Sequence, residues 1–334
     1  MNSWLKRFLC LALAAAISAP VAAQQTIKIA TIAPDGSGWM KELRAAAAET
    51  QTQTQGRVNV KFFPGGVMGS DTVVLRKIRL GQLQGGALTG SEIDSVCRDS
   101  PIYSLPFLFN NQDEVDAVRK LVDPMLADCF QKNGMRMLGI AGGGFAYLMS
   151  THELRTRDDL RSSKVWVPAN DRIGDLAFRN GGITPIPLPL SDVFTSLQTG
   201  LVDTVGNTPS GAVILQWHGK IKFVVDLPMS YIPAYILVDQ KAMAKMTPAD
   251  QAVVQRAFAA AMNRIDAANR RENVQAMNAM KQGGTKIVTP PPAEAARWRE
   301  IGVTTANQLE QKNTFTPGLL AKIRSTLAGK RGGK

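Results

Sequence analysis

Residues 247–284, TPADQAVVQRAFAAAMNRIDAANRRENVQAMNAMKQGG, restrict the fold more than any other stretch of the chain. Thr247 reads as a helix cap, Pro248 suits the first helical position and Asp250 completes a capping-box pattern. Gly283 and Gly284 end the helix. At ~1.5 Å per residue, about 35 residues reach roughly 50 Å, longer than one small domain is wide. Such a helix is best used as a spine along two lobes.

Upstream, strand and helix signals alternate. TIKIATIAP (26–34) reads as a buried strand, and the segment after it turns through glycines into a helix capped by Ser37. RVNVKFFPGG is a second strand, SDTVVLRKIRLG a helix from Ser70 to Gly81, and QLQGGALTG a returning strand. This order calls for an α/β fold with a mostly parallel, doubly wound sheet. A strand then runs through Gly142–Gly144, where three glycines imply a bend or a close approach. A second unit follows: the KVWVP strand, a helix, the extended ITPIPLPL, a short helix from Ser191 to Gly200, and the return strand LVDTVGNTP. The repeated order of strand, Ser-Asp helix, glycine and strand favours two lobes over one large sheet. The first lobe is placed at residues 24–144 with a return segment at 232–262. The second is placed at 145–231 with C-terminal helices at 263–325.

The chain opens like an export signal. Lys6 and Arg7 precede the apolar run Phe8–Ile17, and small residues lead to a cleavage point after Ala23. The run is shorter than the ~20 residues a membrane span needs, so the expected location is the periplasm. The formal charge of +12 is compatible with anionic small molecules. No nucleic-acid motif accompanies it, and nucleic acid is not an expected partner. Cys97 and Cys129 remain after cleavage, and an oxidising compartment permits a disulfide without requiring one.

Enzyme signals are poor. The two histidines, His152 and His218, have no ligand-like spacing around them. There is no P-loop, Gly-x-Ser-x-Gly elbow, Cys-x-x-Cys or His-Glu-x-x-His, and AGGGF lacks a dinucleotide fingerprint. No cofactor or metal site is expected. Two exported α/β lobes without a catalytic set suggest a ligand-binding protein, with the ligand beyond the downstream ends of the strands. An exported hydrolase and the binding partner of a sensor are the alternatives.

Residues 162–209 carry a resemblance. Lys164, Pro168, Leu197, Gln198, Gly200, Val202, Asp203 and Asn207 are similar in place to the signature of the DctP-type solute receptors of tripartite ATP-independent periplasmic (TRAP) transporters. LPFLF (105–109) and GGVMGSD (65–71) resemble motifs of the first lobe, and the similarity runs from about Thr26 to Lys312. It implies a two-lobed, type II-like periplasmic binding protein with hinge strands. Such a receptor closes on an organic acid and delivers it to small and large membrane subunits.

At Trp166 the chain departs from the usual family pattern, an arginine that grips a carboxylate as a two-pronged donor, and VWVP resembles a Trp-containing variant subgroup of the family. Tryptophan offers one N–H and a broad apolar face, so another cation must hold the anion, or the ligand is more apolar. Arg172 and Arg98 are the candidates by position. Trp166 itself either floors the site or packs in a core. The other candidate ligand contacts are Asn170 beside it, Asn207, Trp39 after the first strand, Phe145 and Tyr147 after the glycines, Glu92, and Tyr235 at the return crossing. Trp217 reads as lobe core and Asp203 as the holder of its turn. The hinge is expected at Gly142–Gly144 and at Tyr231–Val238.

Overall fold

The computed structural model describes residues 24–332; the expected export segment lies outside the described residues. Strand and helix alternate as the sequence pattern requires. The first lobe contains β1 (Gln25–Thr31), α1 (Gly38–Gln53), β2 (Val58–Phe63), α2 (Asp71–Arg79), β3 (Gly85–Thr89), α3 (Gln112–Lys132) and most of β4 (Met135–Ser150). The second contains α4 (Arg157–Arg161), β5 (Trp166–Pro168), α5 (Arg172–Asn180), β6 (Ile186–Leu188), α6 (Val193–Thr199), β7 (Thr204–Asn207), α7 (Pro209–Ile214) and β8 (Phe223–Val225). β9 (Ser230–Asp239) returns to the first lobe, followed by α8 (Gln240–Met243) and the long α9 (Pro248–Gln282). β10 (Lys286–Val288), α10 (Pro292–Gln311) and α11 (Leu319–Gly332) complete the chain.

In the first lobe the strand order is β2-β1-β3-β9-β4. β1 pairs in parallel with β2 and β3, and β9 runs antiparallel to both β3 and β4. The single reversed strand has a simple cause: β9 enters from the other lobe. In the second lobe, residues 147–150 of β4 pair with β7, and Met149 and Ser150 pair with β8. β10 extends that edge. The two lobes therefore have distinct cores and are joined by β4 and β9, whose pairing shifts register at the glycines. Each sheet is covered on both faces. In the first lobe, α2, α3 and α11 enclose one core and α1 with the first half of α9 the other. In the second, Trp166, Trp217 and Met280 lie in one core, Phe178 and Trp298 in the other.

The long helix starts and stops as expected. The Thr247 hydroxyl accepts from the Asp250 N–H (3.1 Å) and Gly283 is the C-cap. The capping box is only half formed, because the Asp250 carboxylate turns to Arg57 (2.8 Å). The C-terminal helices do not stay with the second lobe. Leu319, Ile323 and Leu327, spaced i, i+4, i+8 on α11, join the first-lobe core with Val122 and Leu126 of α3. α10 spans both lobes, with Trp298 in a second-lobe core and Ala306 and Leu309 in the first. Cys97 and Cys129 are bridged, tying the segment after β3 to α3 across 32 residues of chain. A loop of that length stabilises by about 3–4 kcal/mol in the chain-entropy view.

The glycine triplet is a bulge, with a register shift between Gly142 and Gly144. Gly144 has φ +114°, a conformation L side chains rarely adopt. A Cβ at Gly142 would lie 1.6 Å from the Tyr231 hydroxyl. α9 satisfies the interrupted ladder. Asp266 accepts from the Gly142 N–H (2.8 Å), Asn269 donates to the Gly142 carbonyl (2.7 Å) and Asn273 to the Gly143 carbonyl (2.7 Å). Gly142→Ala is expected to destabilise the protein by about 2 kcal/mol or more, because the clash is with an aromatic ring and not a flexible chain end. Denaturant unfolding of this variant beside wild type measures it; an unchanged midpoint would contradict the packing described.

Candidate functional site

A cavity of about 610 Å³ opens between the lobes. Its walls are the strand ends and the helix starts that follow them. The first lobe contributes Ala33, Trp39, Asp71, Thr89 and Glu92; the second contributes Leu148, Arg157, Trp166, Phe178 and Asn207. Most of the lining is apolar, and the polar groups are few and specific, as in small-molecule sites.

Four of the candidate residues line this cavity: Trp39, Glu92, Trp166 and Asn207. The Trp39 indole N–H is donated to Asn269 of α9 (3.1 Å), which fixes the ring as a wall. Asn207 accepts from the Thr208 N–H (2.8 Å), so it both forms its turn and leaves an Nδ2 donor for a ligand. Trp166 combines the two readings of it. It is 4% exposed, stands edge-on to Trp217 at 5.4 Å, and donates its N–H to the Leu188 carbonyl (3.0 Å). What it can offer a ligand is an apolar surface alone. Asp203 holds its turn by accepting from the Lys164 N–H (2.9 Å).

Five candidates sit elsewhere. Tyr235 is fully buried in the first lobe and donates its hydroxyl to Ser100 O (3.0 Å). Ala146 and Leu148 face the cavity, so alternation turns Phe145 and Tyr147 away from it. Phe145 instead meets Tyr231 edge-on at 5.3 Å. Asn170 and Arg172 line a smaller adjoining cavity of about 370 Å³, and Arg172 pairs with Asp94 (3.6 Å). Arg98, the other positional candidate for a cation, donates to the Thr314 carbonyl (3.1 Å).

The cation of the main cavity, Arg157, and two of its acids, Asp71 and Asp171, were not among the candidate ligand contacts; the third acid, Glu92, was. Among the described residues, Arg157 is the one arginine or lysine in the lining. Buried polar atoms without a partner concentrate here. Of the five such atoms among the described residues, Asp71 Oδ1, Glu92 Oε2, Arg157 Nε and Trp298 Nε1 belong to cavity-lining side chains; the fifth is Thr50 Oγ1. Leaving such a group unpaired costs about 1–3 kcal/mol, so their concentration at one cavity points to a ligand. The acids are perturbed by their setting. Burial pushes Glu92 up to about 7, reinforced by the neighbouring Asp71 charge and offset in part by the Asn170 amide. Burial raises Asp71 to about 6 against two hydrogen bonds from Thr89, and raises Asp171 to about 6.

The model of the bacterial extracellular solute-binding proteins, family 7 (DctP), matches residues 29–312. The chain belongs to that family. The C4-dicarboxylate-binding periplasmic protein DctP of Rhodobacter capsulatus is 24% identical over 299 residues, covering 87% of this chain and 88% of its own. A TRAP periplasmic solute-binding protein from Ralstonia eutropha, solved with bound (S)-2-acetolactate, superposes with a TM-score of 0.84 at 23% identity. That match covers 91% of this chain and 99% of the other. A Bordetella pertussis extracytoplasmic solute receptor binding pyroglutamic acid gives 0.82 at 19% identity, covering 92% and 99%. These solved structures establish the two-lobed receptor fold for this DctP-family protein.

In this DctP-family receptor the perturbed carboxyls set a pH signature. A carboxyl whose pKa is raised in the folded state contributes fully below its unfolded value, near 4, and loses that contribution as pH rises through the folded value. Glu92→Gln removes the group, so the variant should gain on the wild type in unfolding free energy between about pH 5 and about pH 8. Urea midpoints of the two proteins at both pH values decide this; a constant difference would show that Glu92 titrates normally.

Proposed function

We propose that this protein is the extracytoplasmic receptor of a TRAP transporter that captures a small organic acid with an apolar body in its interlobe cavity. The observation that carries the reading is Arg157, among the described residues the one arginine set in a largely apolar cavity between two lobes joined at a glycine bulge. Relatives of the same fold are described with acetolactate and pyroglutamic acid bound, which fits an acid as the ligand class. Periplasmic location follows the family and the expected export segment. The partners would be the small and large membrane subunits, which recognise the closed form.

The mechanism follows from the distribution of contacts. A ligand that touches Trp39 and Thr89 on one side and Arg157 and Asn207 on the other stabilises the closed arrangement by its differential contacts. Closure turns on the bulge at Gly142–Gly144 and on β9, the second strand that crosses between lobes. Tryptophan and proline walls supply apolar burial, while Arg157 replaces the clamp that the family pattern places at position 166.

Arg157→Met should weaken acid binding by roughly 10–100-fold, the effect of losing a charged hydrogen bond, without lowering thermal stability. Arg172→Met should leave affinity unchanged. The acid to use is the one released when natively purified protein is denatured, identified by mass spectrometry and returned to the apo protein by calorimetry. An Arg157 variant that binds as tightly as wild type would remove the assignment of the anion site.

A further inference from the structure

The cavity presents unpaired acceptors at one place and unpaired donors at another. Asp71 stands at the start of α2 in the first lobe, 3% exposed. Its Oδ2 accepts from both the N–H and the hydroxyl of Thr89 (2.7 Å each), and its Oδ1 has no donor. Glu92, close enough to feel the Asp71 charge, has a buried Oε2 that is also without a donor. Asp171 comes to the same corner from the second lobe. The unpaired donors, Arg157 Nε and Trp298 Nε1, lie among second-lobe apolar groups such as Leu160 and Phe178.

An organic acid alone satisfies only the donors. It leaves Asp71 Oδ1 and Glu92 Oε2 without a donor in a site that excludes water once closed, which is costly. A metal ion is not suggested by the donor set: among the described residues no group of three His, Cys, Asp or Glu side chains is placed to hold one. The exposed Arg172 guanidinium lies nearest Asp94 (3.6 Å), and Asp71 Oδ1 and Glu92 Oε2 are left without a donor. A cationic hydrogen-bond donor on the ligand resolves both the orphaned acceptors and the excess of negative charge in one contact.

We infer that the solute is a zwitterion, an acid whose carboxylate meets Arg157 and Trp298 and whose protonated amine meets Asp71 and Glu92 across an apolar body. The inference rests on the reading of this cavity as the solute site and narrows its substrate class. It gives each lobe one charged end of the ligand, so that only the whole molecule favours closure. The burial that raises the Glu92 and Asp71 carboxyls also means that an ammonium group would pull them back to the ionised form on binding.

The test compares ε-aminocaproate, caproate, ω-hydroxycaproate and n-hexylammonium on the mature apo protein by calorimetry and thermal shift at neutral pH. The expected result is that ε-aminocaproate binds about tenfold or more tightly than caproate or the hydroxy acid, with n-hexylammonium binding measurably by itself. Glu92→Gln and, independently, Asp71→Asn should erase the advantage of the amine and leave caproate where it was. Caproate binding as well as the amino acid, and weakened by Arg157→Met, would overturn the zwitterion and leave the organic-acid receptor standing. Equal binding of the hydroxy acid would overturn the ammonium in favour of a neutral donor. If none of the four binds, the small molecule released from natively purified protein decides: a basic nitrogen beside a carboxylate supports the inference, and an acid without one overturns it.

Discussion

The structure depends on how α9 treats the glycine bulge of β4. A strand that crosses between lobes must bend, and bending it interrupts the ladder and exposes backbone groups that need partners. Asp266, Asn269 and Asn273 lie on one face of the helix at spacings of three and four, and supply them. The same three side chains reach further. Asn269 also accepts from Trp39, and Asn273 accepts from the N–H and hydroxyl of Ser210, just beyond Asn207. Asp266 continues through Arg119 (2.7 Å) to Asp123. The helix thereby registers the hinge against one wall of the cavity in each lobe. Its 35 residues carry it from the first-lobe core, where Val254 and Phe258 pack, to the second-lobe core, where Met280 packs.

A second consequence concerns what closure requires. Apolar walls lower the local dielectric, which strengthens every correct polar contact and penalises every missing one. The few polar groups left in the cavity are therefore decisive beyond their number. Asp71 is held rigidly by Thr89, and the Glu92 segment is braced by the nearby Cys97–Cys129 bridge. In the proposed site, acceptors on one lobe and an arginine on the other would make the cleft discriminate by the spacing of charges on the ligand, and not by apolar volume alone.

Much of the fold was legible because long-range periodicity and end signals agree. The α9 limits, the alternating strands and the two lobes follow from caps, glycines and apolar pattern. The site was legible only in part. Trp39, Glu92, Trp166 and Asn207 sit at strand ends, where sequence order already places them near a cleft. Alternation puts Phe145 and Tyr147 on one face, but it does not say which face meets the cavity, and the bulge just upstream breaks the series that would link them to earlier residues of β4. Tyr235 shows the same limit: apolar strand residues of one lobe look alike whether they face core or cavity. Arg157 was hidden among charges. In LRTRDDLR the three arginines read alike, yet Arg155 pairs with Glu153 (2.6 Å) and Arg161 with Asp158 (3.0 Å), while the short helix capped by Thr156 turns Arg157 inward. Only the capped geometry separates them.

The exchange of arginine for tryptophan at position 166 is then a structural change with a site-wide effect. A guanidinium there would need an anion to be tolerated beside Trp217. The indole needs none, and its N–H fixes the Leu188 carbonyl. That bond holds the end of β6, from which Pro189, Leu190 and Ser191 continue as cavity wall. Arg157 lines the cavity together with Trp298 of α10, a member of the other second-lobe core. Since α10 also packs its Ala306 and Leu309 into the first lobe, the proposed anion site borders a helix that bridges the lobes. On the proposed reading, ligand charge and lobe position would be coupled through α10 as well as through the hinge.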